Sequence, residues 1–411
     1  MKQRSNPLGT MQVWTVLGMA LVVMIGFGII VPALPKFAEE FGVGEAGIGF
    51  IITIFALTRL FGDLFAGGLI DRFGERAMTA LGVAIVGLSS LAAGAARTYW
   101  ELVAFRGVGG VGSALFLGGL FAYLIGTVPE ESRGRAMGVF QASFGLGILI
   151  GPIVGGLIMA ASSANVPLYV YGVICLVCVP LSMAVMREDH TPSDVLAGAT
   201  VAEIPTPPVR SWARLRPLLS NSAYRAALVA GMLGFFVISA EQTLLPSYWT
   251  GDLGASKATS GVPFAVTAVF GIAVAWHAGV LTDSRGRRAV LVPALGALVV
   301  ASVAMGFATT TIAVLVVMAA LGAAGGYARP GTSSIVADVS TPATRGIAVS
   351  GYRVATDLGQ LIAPISVGVI AEWVSFRAAF LTVAVVVAIA FWMALRAEET
   401  APSVRARAAV S

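Results

Sequence analysis

From Ala136 to Met186 the chain carries no Asp, Glu, Lys or Arg. That stretch is long enough to cross a bilayer twice, since one helical crossing takes about 20 apolar residues. The polar cluster Ser162-Ser163-Ala164-Asn165, with Pro167 just beyond, divides it. Ser5–Pro35 and Ala77–Ala96 are likewise uncharged. The 411 residues are 57% hydrophobic and 11% charged, too few polar groups to clothe a water-soluble globule. The sequence predicts spans at 11–34, 46–69, 77–96, 100–127, 136–160 and 167–186, then at 223–247, 258–281, 289–308, 311–337, 346–371 and 377–395. These should be helices, which satisfy their own backbone hydrogen bonds in lipid.

The chain also repeats itself. Gly67-x3-Asp71-Arg72-x-Gly74-x-Arg76 answers to Gly279-x3-Asp283-Ser284-x-Gly286-x-Arg288, 212 positions later. At the same offset Arg133-Gly134 matches Arg345-Gly346, Gly147 matches Gly359, Pro152 matches Pro364 and Gly156 matches Gly368. The fold class expected is therefore all-α integral membrane: twelve transmembrane helices in two six-helix pseudo-repeats. A bundle at 1–186 and another at 223–396 would flank a Pro-rich cytoplasmic linker, 187–222, and a polar, disordered tail would come after them at 397–411. Within the linker, Ser211–Leu219 aligns Trp212, Leu215 and Leu219 as a short interfacial helix or remains plain linker. Two copies of one helical unit favour a carrier, because two halves can rock about a shared site.

Basic residues fix the orientation. The termini and even-numbered loops hold most of them, from Arg72 and Arg76 to Arg405 and Arg407, whereas the opposite loops hold Lys36, Arg97, Lys257 and Arg377. Both termini are expected in the cytoplasm. The net charge of +5 is then a topology signal and calls for no nucleic acid. The first apolar run is too long for a cleaved signal and reads as the first span. Cys175 and Cys178 fall mid-span, where two small apolar residues are the simpler reading than a redox pair. The excess of Arg over Lys, with abundant Ala, Val and Gly, points to a GC-rich bacterial source and hence to a bacterial cytoplasmic (inner) membrane.

Three motifs together resemble the major facilitator superfamily. The hairpin Gly67–Arg76 is similar to its signature between helices two and three. Arg106-Gly107-x-Gly109-Gly110-x-Gly112 resembles its helix-four motif. Gly138-x8-Gly147-x3-Gly151-Pro152-x2-Gly155-Gly156 is similar to the antiporter motif of drug:proton exporters. In the second half Ala363 and Val367 replace Gly151 and Gly155, the asymmetry that resemblance implies. It also implies that Arg106 tunes a neighbouring carboxylate or touches substrate. The first span, however, lacks the acid that many such exporters place there.

Each candidate residue brings its own chemistry. Asp71, at a cytoplasmic helix end, can accept from the free N–H groups of a helix start, with Arg72 and Arg76 as countercharges. With Asp283, Arg285 and Arg288 in the repeat, this makes a charged cytoplasmic gate or a loop that merely obeys the positive-inside rule. Arg59 and Asp63, one turn apart, extend that gate or form a static pair. Gly147, Gly151 and Gly155 make a four-residue stripe that packs helices backbone to backbone, with Pro152 bending it. Among acids within spans, Glu241 has no partner nearby in sequence and is the first candidate to carry protons; water contact at the helix mouth is the alternative. Asp357, one turn from Arg353, is the second. Burial disfavours the charged form of a carboxyl, which lets it trade protons. Arg329-Pro330-Gly331 predicts an interrupted tenth span on the transport path or a packing kink. His277 beside Trp276 reads as an interface anchor or a titrating group.

The function expected is proton-coupled efflux of lipophilic or weakly cationic small molecules by alternating access. A nutrient symporter and a lipid or glycolipid flippase share the architecture, although dense polar lining for a nutrient is missing. No metal-spaced His/Cys/acid cluster, nucleophile motif or phosphate loop suggests an enzyme, and no cofactor is called for. Partners are a small-molecule substrate, protons and the lipid bilayer, and a monomer suffices.

Overall fold

The computed structural model describes residues 11–128, 130–186, 212–341, 344–401 and 404. The uncharged runs form helices that outlast them. The first half gives α1 (Met11–Glu39), α2 (Glu45–Phe73), α3 (Glu75–Gly94), α4 (Tyr99–Thr127), α5 (Glu130–Ala161) and α6 (Val166–Val185). The short α7 (Trp212–Ser220) stands where the interfacial helix is expected; the rest of the linker, 187–211, lies outside the described residues. Beyond it come α8 (Ser222–Thr250), a 3₁₀ turn at Lys257–Thr259, α9 (Val262–Arg285), α10 (Arg287–Met305), α11 (Thr311–Val339), α12 (Arg345–Trp373) and α13 (Phe376–Arg396). Among the described residues, eleven helices are long and apolar enough to cross a membrane, and α5 adds the shorter apolar stretch Gly145–Ala161.

Local chemistry sets several helix starts. Thr98 opens α4 with a capping box: its hydroxyl accepts from Glu101 N–H, and the Glu101 carboxylate accepts from Thr98 N–H. Asn221, Thr310 and Ser375 cap α8, α11 and α13 through their side chains. Large apolar side chains such as Leu88, Val300 and Val385 remain more than half exposed. In water that would be a liability, but in hydrocarbon it is the required outer face.

The chain gathers into two compact units. One comprises Met1–Val43, Ile54–Thr206 and Lys257–Gly261; the other comprises Gly44–Thr53, Pro207–Ser256 and Val262–Ser411. Their internal packing repeats: α1 lies on α5 and α3 on α4 in the first, α8 on α12 and α10 on α11 in the second. Each unit also takes in a short segment from the opposite half of the sequence. In the second unit a Cβ at Gly49 would strike the Pro364 carbonyl, and one at Gly368 the Glu45 carbonyl. In the first unit Gly261 meets the Pro152 carbonyl and Gly156 the Ala258 carbonyl. All four positions correspond at the repeat offset. One side adds a charge, for Glu372 Oε2 accepts from Ala46 N–H at 2.9 Å, an anion at the start of α2.

Two expectations need correction. Helix α11 is not interrupted at Arg329-Pro330 but runs unbroken from Thr311 to Val339. Pro330 costs the helix the one N–H that would meet the Gly326 carbonyl, and the rest of the ladder continues past it. Nor is the tail loose at its start. Glu399 accepts from the N–H groups of Arg287 and Arg288 at 2.9 and 3.0 Å, and Thr400 Oγ1 donates to Asp338, which ties residues 399 and 400 to the helices.

Candidate functional site

In the first unit α4 buries Arg106 to 5% exposure. Its guanidinium lies over the Phe55 ring of α2 at 4.4 Å, and Phe55 in turn meets Phe27 of α1 at 5.9 Å. Tyr171 of α6 is the titratable group within its electrostatic reach. The Arg106 Nε is buried with no hydrogen-bond partner among the described residues.

The glycine stripe of α5 lies directly on α1. A Cβ at Gly147 would come 2.7 Å from Met24 carbonyl carbon, and one at Gly151 would come 2.6 Å from the Ile25 carbonyl oxygen. One at Gly155 would strike the Ile29 carbonyl. The contact is backbone on backbone, leaving no slot for water or ions between these helices. Gly138 lies in α5, outside the residues whose surroundings are described.

In the first hairpin Asp71 and Arg72 are exposed, Gly67 is half-buried, and Arg76 is half-buried with an Nε that has no hydrogen-bond partner among the described residues. Arg59 is half-buried and Asp63 exposed further up α2. Gly74 and Gly286 each occupy the position before the next helix at φ +86° and +109°. The repeat therefore holds at the level of backbone dihedrals.

The second hairpin carries more than the sequence suggested. Arg287 Nη1 pairs with Asp283 at 2.9 Å, and its Nε pairs with Asp338 of α11 at 2.9 Å. Thr400 Oγ1 donates to the same Asp338. Glu399 receives the N–H groups of Arg287 and Arg288 at 2.9 and 3.0 Å, capping α10. Arg288 donates from Nη2 to the Leu395 carbonyl, while Arg285 is exposed at the end of α9. Burial pushes the Glu399 carboxyl up, but the four backbone N–H groups from Ala401, Arg287, Arg288 and Thr400 outweigh it and hold it below its ordinary value. Arg287, Asp338 and Glu399 escaped the sequence reading because Arg287 falls where the first copy has Glu75, and the other two lie outside the motif. The acidic Glu398-Glu399, set just past a span on the Arg-rich side, was the available signal.

Further into the second unit, Glu241 of α8 is 9% exposed. It lacks a neighbour in sequence, yet folding brings it within electrostatic reach of Arg329 on α11. Arg329 is exposed, so it opens onto accessible space. Tyr352 of α12 lies within electrostatic reach of Arg329, its hydroxyl 3.0 Å from Thr332 Oγ1. On α12 Arg353 is exposed and Asp357 half-buried. His277 Nδ1 meets the Tyr327 hydroxyl at 2.7 Å, joining α9 to α11. Cys175 and Cys178 are both buried free thiols.

The sequence profile of the Major Facilitator Superfamily matches residues 16–321 and 244–411, together most of the chain. The chain belongs to the Major Facilitator Superfamily. A multidrug resistance protein MdtG of Serratia proteamaculans is 28% identical over 393 residues, 91% of each chain. Multidrug resistance protein 2 of Bacillus subtilis is 30% identical over 167 residues, so the match spans 42% of that relative's length. Among solved structures, a bacterial homologue of the human lysosomal transporter Spinster, inward-facing and unoccupied, superposes with a TM-score of 0.79 at 14% identity. It covers 94% of this chain and 96% of that one. The nucleoside transporter NupG gives 0.76 at 13%, covering 95% and 100%. This superfamily chain thus has a transporter's fold and is no enzyme by family.

Proposed function

We propose that this chain exports lipophilic small molecules from the bacterial cytoplasm in exchange for protons, by alternating access, as a monomer with both termini inside. The observation that carries the proposal is the pair Glu241 and Arg329, an acid and a basic residue of separate helices within one unit, the acid buried and the exposed arginine within its electrostatic reach. Protonating Glu241 removes a negative charge within electrostatic reach of Arg329, so a single proton changes the electrostatics of that unit. Asp357 is the second proton site. The names of the multidrug relatives support export, and the two charged hairpins serve as the cytoplasmic gate, with Arg59 and Asp63 extending it. The glycine seam between α1 and α5 keeps ions from leaking while the halves move.

The energetics suffice. At ~100 mV one proton brings about 2.3 kcal/mol. A tenfold gradient costs about 1.4 kcal/mol, so one proton supports roughly a fiftyfold gradient of a neutral solute. The test is efflux of a neutral lipophilic dye from sealed vesicles under an imposed pH difference. Glu241→Gln should abolish pH-driven movement at unchanged protein level; undiminished efflux would refute the assignment.

A further inference from the structure

Arg329 has a second group to answer to. Tyr352 of α12 and Glu241 of α8 both lie within its electrostatic reach. A tyrosine is neutral at physiological pH, so what it can offer a guanidinium is a lone pair on the phenol oxygen. That lone pair is of use only if the hydroxyl hydrogen is directed elsewhere.

Two contacts set its direction. Thr332 Oγ1 donates to the Arg329 carbonyl at 2.9 Å. A threonine hydroxyl has a single hydrogen, and that bond uses it. In the 3.0 Å contact between Thr332 Oγ1 and the Tyr352 hydroxyl, the tyrosine is therefore the donor, and its oxygen is left as an acceptor. Thr332 is buried, which shields both bonds from competing water. It stands three residues from Arg329, on the same face of α11. Packing fixes the ring as well. A Cβ at Gly231 of α8 would come 2.9 Å from Tyr352 Cζ and 3.0 Å from its hydroxyl oxygen, so the ring lies where only a glycine leaves room. Gly231 and Glu241 are about 15 Å apart along α8, at 1.5 Å rise per residue. The phenol and the carboxylate are thus two separate stations for one long, exposed side chain.

We propose that Tyr352 is a positioning residue for the proton step: its oxygen receives Arg329 when Glu241 takes up a proton and releases it when Glu241 ionises. The inference rests on the reading of Glu241 as proton carrier. A neutral, preset acceptor lowers the cost of leaving the guanidinium without an anion, yet competes too weakly with a carboxylate to hold it, so the step runs both ways. The other charged groups around α12 are engaged or remote. Arg225 lies in the first turn of α8, Asp338 of α11 is bound to Arg287, and Arg377 and Arg396 lie near the two ends of α13. On α12 itself Arg353 is exposed, with Asp357 one turn further on.

The test reads efflux of the neutral dye from proteoliposomes at a fixed membrane potential, with pH equal on both sides and stepped across the neutral range. Tyr352→Phe keeps the ring against Gly231 and removes only the acceptor, so Arg329 stays with the carboxylate and stronger acid is needed to protonate Glu241. The midpoint of the efflux profile should move to lower pH by about 0.5–1 unit, the worth of one neutral hydrogen bond. Thr332→Val, which frees the phenol hydrogen to turn, should move it the same way, whereas Thr332→Ser, which keeps the hydroxyl, should hold the wild-type midpoint. An unmoved midpoint in Tyr352→Phe, or a shift toward alkaline pH, overturns the proposal. So does efflux lowered alike at every pH, which is what lost packing alone would give. Should Tyr352→Phe not fold, the two Thr332 variants decide, and equal midpoints in them overturn the proposal as well. Glu241→Gln is measured alongside: a pH profile that survives in it sinks the reading of Glu241, whereas a profile lost in it but unmoved by Tyr352→Phe sinks only this inference.

Discussion

Replacing Gly151 by Ala probes the α1–α5 seam with a single added methyl. The new Cβ would sit 2.5 Å from Gly28 Cα and 2.6 Å from the Ile25 carbonyl oxygen, where ordinary contact begins near 3.4 Å. Both obstacles are backbone, so no rotamer relieves them and the helices must part by about 1 Å, an overpacking that costs up to about 3 kcal/mol. Alanine returns about 1 kcal/mol of helix propensity, leaving a net loss of about 2 kcal/mol. For a unit of this size that lowers the melting temperature by about 4–8 °C. The matched control is Gly18→Ala on α1, whose Cβ would meet nothing within 4 Å and which should keep the propensity gain. Scanning fluorimetry in detergent reads both, and a proton-sensitive dye in vesicles reads leak through the loosened seam. If Gly151→Ala melts at or above the wild type, the seam is not held by backbone contact and the reasoning fails.

The Glu399 clip should respond to pH. Its folded value lies below the ordinary one, so its contribution is complete above the unfolded-state value of about 4.3 and fades as pH falls through the lower folded value. A spin label at the exposed Glu398 should be immobile at neutral pH and loosen in acid, and Glu399→Ala should free it at every pH; a label indifferent to both changes would count against the clip. At the hairpins, Gly286→Ala forces a side chain to φ +109° and ψ 157°, a region reserved for glycine, at a cost of about 1–3 kcal/mol. Gly74→Ala, at φ +86° and ψ 155°, should carry the same backbone cost, and Gly286→Ala should lose more thermal stability because its Cβ would also come 2.5 Å from Glu399 Oε2 of the clip.

Features set by local composition are legible in the sequence. Lipid admits so few charges that the uncharged runs mark the spans, and the hairpin glycines mark two turns that only glycine enters. The stripe at Gly147, Gly151 and Gly155 announces close packing, since three small residues on one helix face have little other use. The partners stay hidden, because partnership is a matter of tertiary distance. Glu241 and Arg329 lie 88 positions apart, and Arg287 and Asp338 lie 51 apart. Pro330 misleads for a different reason: one lost ladder bond within a helix of 29 residues does not end it.

The segments Gly44–Thr53 and Lys257–Gly261 carry a lesson about heredity and handling. Each half of the gene encodes a short stretch that packs with the other's product. A fragment ending in the linker would lack one such insert and leave a bare groove, with the Pro152 or Pro364 carbonyl at its floor. Co-expressed fragments could heal by trading inserts, whereas either fragment alone is an unfinished object.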